Sequence, residues 1–210
     1  MIAAKLKRYV SFSGLQGPAP KTVFVLALMP LLLVVVQVAT NDLGPDPAEA
    51  LMHITGEWVL RLLVLVLLAR PASQWGWPLL FRHRRMLGLF VFFYATLHLL
   101  VFAQVYIGWS GVILVEELAE RPYILVGAAA WILLAPLAIT STNAMRRRLK
   151  QRWRQLHQLT YAVAALGVLH ILWLARSDLG TPLLYGGLFA VLLAWRLRVY
   201  LRRRNRRESP

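Results

Sequence analysis

Apolar residues dominate six stretches of the chain, and polar or charged residues fill the intervals between them. The apolar stretches are Thr22–Ala39, Ile54–Ala69, Met86–Tyr106, Pro122–Ile139, Leu156–Ala175 and Pro182–Leu201. Each has roughly the 20 residues that a helix needs to cross a hydrocarbon core about 30 Å thick. The pattern therefore predicts an all-α integral membrane protein, a bundle of six transmembrane helices.

The intervals between the stretches are predicted to be loops, and none is long enough to form a separate soluble domain. They cover residues 40–53, 70–85, 108–121, 140–154 and 176–181. The sequence thus predicts one transmembrane domain, residues 22–201, between a cytoplasmic lead of residues 1–21 and a basic tail of residues 202–210. The first stretch could also be the core of a signal peptide. It is longer than such a core usually is, and Gln37-Val38-Ala39 is a poor cleavage site, so an uncleaved span is favoured.

The distribution of positive charge predicts an orientation. All but three of the 24 lysines and arginines lie in the lead, the 70–85 interval, the 140–154 interval or the C-terminal end from Arg196 onward. These segments alternate along the chain with segments that hold almost no positive charge. Because cytoplasmic loops of membrane proteins are rich in lysine and arginine, both termini are expected in the cytoplasm.

The overall composition agrees with a membrane protein. The 210 residues are 59% hydrophobic and only 16% charged, against about 25% charged in a typical soluble domain. The net charge of +15 would suggest nucleic acid in a soluble protein, but here it lies at the ends of apolar stretches. It indicates contact with membrane lipid and no nucleic-acid partner. The chain has no cysteine, which excludes disulfides, thiolate-held iron–sulfur clusters and covalently attached heme.

Two histidines lie deep inside apolar stretches at matching positions. His98 is 13 residues beyond Arg85, and His170 is 16 residues beyond Arg154. At 1.5 Å per residue, both are about 20 Å from the cytoplasmic edge of the membrane. Buried ionisable residues in spans usually mark function, and neutral imidazole is a good axial ligand of heme iron. The pair predicts a heme held between the third and fifth spans.

A second heme level is suggested by His157, near the cytoplasmic interface. Thirteen residues at about 100° each place His157 and His170 roughly 140° apart around an ideal helix, so the two do not share one face. The partner level on the third span falls at His83, Arg84 and Arg85. His83 is interpreted as an interfacial or propionate contact, and the arginines as propionate partners.

Other interpretations compete for the same residues. Any membrane histidine can be an interhelical hydrogen-bonding group, which is an equal alternative for His157. His53, at the outer boundary, is interpreted as interfacial. Zinc is a weak rival, because no carboxylate or thiol lies at the depth of the buried pair. The Glu57 and Arg61 pair is interpreted as structural or as the lining of a polar pocket, with a quinone or flavin contact as the alternative.

Four sequence motifs accompany the six predicted spans: H-x-T-G-x-W-x-L at His53–Leu60, RRMLGLFVFFYATLH at 84–98, RPYI at 121–124, and R-W-R-x-L-H-x-L-x-Y at 152–161 with a second histidine at 170. This combination resembles the MsrQ family, the heme-binding membrane subunits of a periplasmic methionine sulfoxide reductase system within the ferric-reductase-like transmembrane proteins. The resemblance covers about Thr22 to Tyr200 and implies a place in the bacterial inner membrane.

The resemblance implies cofactors, partners and a function. The cofactors are heme b, one or two per chain, and FMN; His98, His157 and His170 match the family's heme-linked histidines. The acceptor is a periplasmic molybdopterin-containing methionine sulfoxide reductase of the MsrP type, for repair of oxidised proteins. With no G-x-G-x-x-G fingerprint and only about ten residues after the last span, the electrons are expected from quinol or from a cytosolic flavin reductase. A stand-alone transmembrane ferric or metal-ion reductase and a non-redox membrane protein are the alternatives.

Overall fold

The computed structural model describes residues 18–175 and 179–208, and these residues are almost entirely helical. We number the helices α1 to α9 in chain order. They are α1 Pro18–Ala39, α2 Pro47–Gln74, α3 Pro78–Phe102, α4 Gly111–Glu120, α5 Pro122–Ile139, α6 Asn143–Leu149, α7 Gln151–Leu156, α8 Leu159–Leu174 and α9 Gly180–Glu208. A π-helical turn, Ala103–Ile107, extends α3. The all-α prediction is confirmed.

Six of these helical segments are long and apolar enough to cross a membrane. They are Pro20–Ala39, Pro47–Gln74, Pro78–Ile107, Pro122–Ile139, Gln151–Leu174 and Gly180–Arg202. Large apolar side chains cover the outer surface of the bundle, among them Leu26, Val36, Leu183 and Val191, each more than half exposed. Apolar patches of this extent are typical of a surface that faces lipid. The six predicted spans are therefore found as six candidate spans.

The predicted loops, in contrast, were wrong in extent. Only Trp75–Trp77 separates α2 from α3, so most of the 70–85 interval, including Arg84 and Arg85, is helical. The 108–121 interval contains α4, the 140–154 interval contains α6 and α7, and α9 continues into the predicted tail. Arginine and lysine are good helix formers, so helices continue where hydrophobicity ends. Residues 1–17 of the lead, 176–178 of the 176–181 interval and 209–210 of the tail lie outside the described residues.

Local chemistry explains where the helices begin and end. Pro47, Pro78 and Pro122 occupy the first helical position of α2, α3 and α5, where a missing N–H costs nothing. The Asp46 side chain caps α2 by accepting from the Glu49 amide at 2.9 Å. Thr142 caps α6 in the same way.

The spans pack as two tight pairs. α2 lies along α3, and α5 lies along α8, whereas contact between the pairs is sparse. α1 packs against α3, and α9 packs against α8 and α2. Because neighbouring spans run in opposite directions, the N-terminal ends of α2 and α5 lie at the same end of the bundle as the C-terminal ends of α3 and α8. This arrangement leaves the facing surfaces of the two pairs available for a site.

Two polar contacts fasten the outer helices to the pairs at proline positions. The Tyr94 hydroxyl donates to the Ala27 carbonyl at 2.9 Å and accepts from the Leu31 amide at 3.1 Å, beside Pro30 of α1. Arg196 of α9 donates to the Leu67 carbonyl of α2 at 3.1 Å.

The second of these contacts follows from Pro71. In a regular helix the Leu67 carbonyl would accept from the amide of residue 71, but proline has no N–H to donate. Leu67 and Pro71 are buried, so the carbonyl has no access to solvent. The Arg196 guanidinium replaces the missing donor, and it also donates to the Tyr161 hydroxyl of α8. One side chain therefore links α9 to both pairs.

Candidate functional site

His98 and His170 meet between the two helix pairs. Their ring centroids are 6.3 Å apart, and the ring planes are nearly perpendicular, at 86°. Two imidazoles that bind one metal from opposite sides, each through a nitrogen about 2 Å from the metal, have centroids about 6 Å apart. The structure brings these two predicted site residues together, and the spacing suits two imidazoles that would hold one iron.

The His98 ring is held by the start of α2. Its Nδ1 lies 3.1 Å from the Thr55 hydroxyl. The same hydroxyl is 2.7 Å from the Leu51 carbonyl, which can only accept, so the hydroxyl proton goes to Leu51. The hydroxyl oxygen therefore accepts from His98 Nδ1–H, and the unprotonated nitrogen is Nε2.

The His170 ring is held by the start of α5. Its Nδ1 lies 2.7 Å from the Tyr123 carbonyl oxygen, an acceptor, so Nδ1 carries the proton here as well. Neither Nε2 has a hydrogen-bond partner among the described residues. Both rings thus offer an Nε2 lone pair, and both make a hydrogen bond through the other nitrogen, as metal-bound histidines nearly always do.

Glycines make room for both rings. A Cβ at Gly127 would lie 2.9 Å from Cε1 and Nδ1 of His170, and a Cβ at Gly56 would lie 3.2 Å from Cε1 of His98. Side chains at either position would push the ring away from its place. Each pair thus supplies one histidine, one hydrogen-bond acceptor and one glycine. This matched arrangement fits a heme held by two imidazoles.

An aromatic contact ties the two pairs together next to the histidines. Trp131 of α5 donates through Nε1 to the Thr96 hydroxyl of α3 at 3.0 Å, and its ring stacks on Phe92 with centroids 5.8 Å apart. Thr96 is two residues before His98. The contact therefore sets the distance between α3 and α5 at the level of the site.

His157 is not part of this pair. α7 ends at Leu156 and α8 begins at Leu159, and His157 and Gln158 between them keep right-handed helical dihedral angles. Its Nε2 lies 3.2 Å from the Thr140 hydroxyl. That hydroxyl donates to the Pro136 carbonyl at 2.6 Å, so His157 Nε2 is the protonated nitrogen. Nδ1 is the nitrogen left with a lone pair.

The surroundings of His157 contain an indole and two arginines. The Trp153 ring stacks on the imidazole with centroids 3.9 Å apart, and its Nε1 donates to the Thr140 carbonyl at 3.0 Å. Among the described residues no second histidine ring contacts His157. Arg84 and Arg85 are close enough for their charges to act on it.

The two arginines make protein contacts of their own. Arg85 donates to the Ser141 carbonyl at 3.2 Å and to Asn143 Oδ1 at 2.8 Å, which ties α3 to the corner between α5 and α6. Arg84 lies over the Phe81 ring, 3.9 Å from its centroid, and donates to the Phe81 carbonyl.

The remaining candidate residues lie apart from the paired histidines. His83 is buried in α3, not in a loop as predicted, and its Nδ1 donates to the Leu79 carbonyl at 3.0 Å. His53 is exposed and faces Glu49 at 3.5 Å. Glu57 and Arg61 form an ion pair on α2, with the guanidinium 4.9 Å from the Trp58 ring centroid. In the described part of the chain no three histidine, aspartate or glutamate side chains gather to hold a metal ion.

The sequence model of the ferric reductase like transmembrane component matches residues 55–168. The chain is 47% identical to the protein-methionine-sulfoxide reductase heme-binding subunit MsrQ of Xanthomonas axonopodis pv. citri, covering 83% of this chain and 82% of that protein. It is 44% identical to the MsrQ of Rhodospirillum rubrum, covering 90% and 91%. No solved structure matches it.

Proposed function

The chain belongs to the MsrQ family of heme-binding subunits of protein-methionine-sulfoxide reductase, and we propose that it is the transmembrane electron-transfer subunit of such a system. In this proposal electrons enter from quinol or from a cytosolic flavin reductase. They leave to a periplasmic, molybdopterin-containing methionine sulfoxide reductase that repairs oxidised proteins. The protein lies in the bacterial inner membrane with both termini in the cytoplasm.

The observation that carries the proposal is the facing pair of His98 and His170. Each is held through Nδ1 and offers Nε2 to the space between the helix pairs. A bound heme b would supply one-electron redox chemistry at this position. The protein's part is to hold the two imidazoles in one tautomer, to keep them at one level with the Trp131 contact, and to surround them with apolar side chains.

The cytoplasmic half of the proposal rests on His157, Arg84 and Arg85. We assign these residues to a second heme, with His157 as an iron ligand and the arginines near its propionates, because half-buried positive charge favours carboxylate partners. FMN is the second cofactor of the proposal, and no residue of this chain is assigned to it.

A second candidate function is a stand-alone transmembrane ferric or metal-ion reductase. It is favoured by the family model that matches residues 55–168, which describes a ferric reductase like component. The same pair of histidines would serve it. The two candidates differ in the acceptor on the outer side of the membrane.

The test uses the full-length purified protein in detergent. A reduced-minus-oxidised spectrum should show the bands of b-type heme, and pyridine hemochrome should give one or two hemes per chain. The reduced protein should then be reoxidised by a periplasmic methionine sulfoxide reductase of the molybdopterin class and not by ferric chelates. A protein without b-type bands contradicts both candidates, and reoxidation by ferric chelates alone favours the second.

A further inference from the structure

The T-G step of the motif at the start of α2 lies beside the His98 ring. Thr55 and Gly56 are consecutive residues, and both touch the His98 ring: Thr55 through its hydroxyl at 3.1 Å, and Gly56 through the space that its missing side chain leaves. Thr55 is also one of the few buried polar residues in the described part of the chain.

The hydrogen bonds of Thr55 have a defined direction. Its hydroxyl is 2.7 Å from the Leu51 carbonyl and 3.2 Å from the Met52 carbonyl, in the preceding turn of α2. Both carbonyls can only accept, so the hydroxyl proton is directed to them. Its lone pairs are then available to His98 Nδ1–H. The helix itself therefore fixes Thr55 as an acceptor for the imidazole.

The other histidine is held differently. The acceptor for His170 is the Tyr123 carbonyl, a backbone group that no side-chain substitution removes. The Thr55 hydroxyl that accepts from His98 is a side-chain group, and the Met52 carbonyl also lies close enough to interact with the ring. Substitution of Thr55 can therefore change the hydrogen bond between its hydroxyl and His98 Nδ1 without moving the backbone.

We propose that Thr55 is a positioning residue that fixes the Nδ1–H tautomer of His98 and increases electron donation from its Nε2 to the iron. An imidazole that donates a hydrogen bond through one nitrogen is a more basic ligand through the other. A more basic ligand stabilises the oxidised iron over the reduced iron, so the hydroxyl lowers the reduction potential. The inference rests on the proposed function, since it requires a heme between His98 and His170.

The experiment compares three variants of the full-length heme-loaded protein. Thr55→Val keeps the shape of the side chain and removes the acceptor, whereas Thr55→Ser keeps the hydroxyl. Thr40→Val is the matched control, since the Thr40 hydroxyl also donates to the carbonyl one turn earlier, that of Val36 at 2.9 Å, but has no role at the paired histidines. The readouts are the midpoint potential from a redox titration and the rate of heme transfer to excess apomyoglobin.

The expected result is a higher midpoint potential in Thr55→Val, with heme retained on the order of tenfold less tightly. Thr55→Ser and Thr40→Val should match the wild type in potential. Equal potential and retention in Thr55→Val and wild type would overturn the inference. So would a shift in Thr55→Ser as large as that in Thr55→Val.

The outcomes keep the two proposals apart. Wild-type protein that binds no heme contradicts the proposed function, whatever the variants do. If Thr55→Val alone fails to hold heme, a Thr55→Ser protein with normal heme content and potential supports the role of the hydroxyl. If Thr55→Ser also loses heme, the hydroxyl is not what the site requires and the inference fails, while the proposed function stands on the wild type.

Discussion

At one end of the bundle His98 and His170 each donate through Nδ1, to Thr55 and to the Tyr123 carbonyl, and leave Nε2 free. At the other end His157 donates through Nε2 to Thr140 and leaves Nδ1 free. We refer to these regions as the paired-histidine end and the basic end; the latter also contains Arg84, Arg85 and Arg196. The residue type is the same, but the position of the hydrogen-bond acceptor decides which nitrogen can bind a metal.

The two ends also differ in how they use space. At the paired-histidine end glycines leave room beside each ring, and contact between the helix pairs is sparse. At the basic end the His157 ring is covered by Trp153, and arginines join the helices by hydrogen bonds. The paired-histidine end therefore has room beside its rings, whereas the basic end is more closely joined by side-chain contacts. The predictions below test this contrast, from the largest effect to the smallest.

The strongest test is removal of the histidines themselves. His98→Ala and His170→Ala should each abolish the heme between α3 and α8, because one imidazole is lost from a two-imidazole site. His157→Ala should leave that heme in place. Pyridine hemochrome and the reduced-minus-oxidised spectrum measure the outcome. Full heme content in both His98→Ala and His170→Ala would refute the ligand pair.

Next in size are the glycines. Gly127→Ala should reduce heme content strongly and Gly56→Ala less, because a Cβ would lie 2.9 Å from the His170 ring at one position and 3.2 Å from the His98 ring at the other. Alanine favours a helix over glycine by about 1 kcal/mol, so the loss would occur despite better helix propensity. Gly88→Ala on α3 is the control, as a Cβ there meets nothing within 4 Å. Equal heme content in all three variants would contradict the conclusion that Gly56 and Gly127 make room for the histidine rings.

A smaller effect is expected at the basic end. Arg196→Met removes the donor to the buried Leu67 carbonyl and should cost about 1–3 kcal/mol of stability. The spectrum of the heme should stay unchanged at low temperature. Thermal unfolding of the detergent-solubilised protein measures the cost. Pro71→Ala, which restores the backbone donor, should recover part of it in the double variant, and no recovery would show that the carbonyl is not the cause.

The smallest effect is expected for Thr140→Val. It removes one hydrogen bond from His157 and should cost about 1 kcal/mol, with no change in the midpoint potential of the heme at the other end. Thr140→Val and Thr55→Val each remove a hydroxyl that accepts a hydrogen bond from a histidine, one at each end of the bundle. A potential that moves equally in both variants would show that the contrast between the ends is false.

The sequence was sufficient for the spans and for the level of the paired histidines. Hydrophobic length locates a membrane helix, and counting from Arg85 and Arg154 placed His98 and His170 at one depth. The sequence was insufficient for the helix ends, because charged residues predict loops in the hydrophobic pattern. Arg84 and Arg85 are charged, but they lie within α3. The hydrogen-bond partners of the histidines could not be predicted from the sequence either. Thr55 and Gly56 stood in a motif of the family without a role, and the Tyr123 carbonyl is a backbone group with no side-chain signature.

The contact between Arg196 and the Leu67 carbonyl has a consequence for how relatives of this protein diverge. The arginine supplies the donor that Pro71 lacks, so the arginine cannot change without a penalty while the proline remains. Loss of the proline removes the need for the arginine, whereas loss of the arginine exposes the defect of the proline. The two positions, 125 residues apart in the chain, are therefore expected to covary across homologues, with proline at position 71 tolerated chiefly where position 196 carries a long donor.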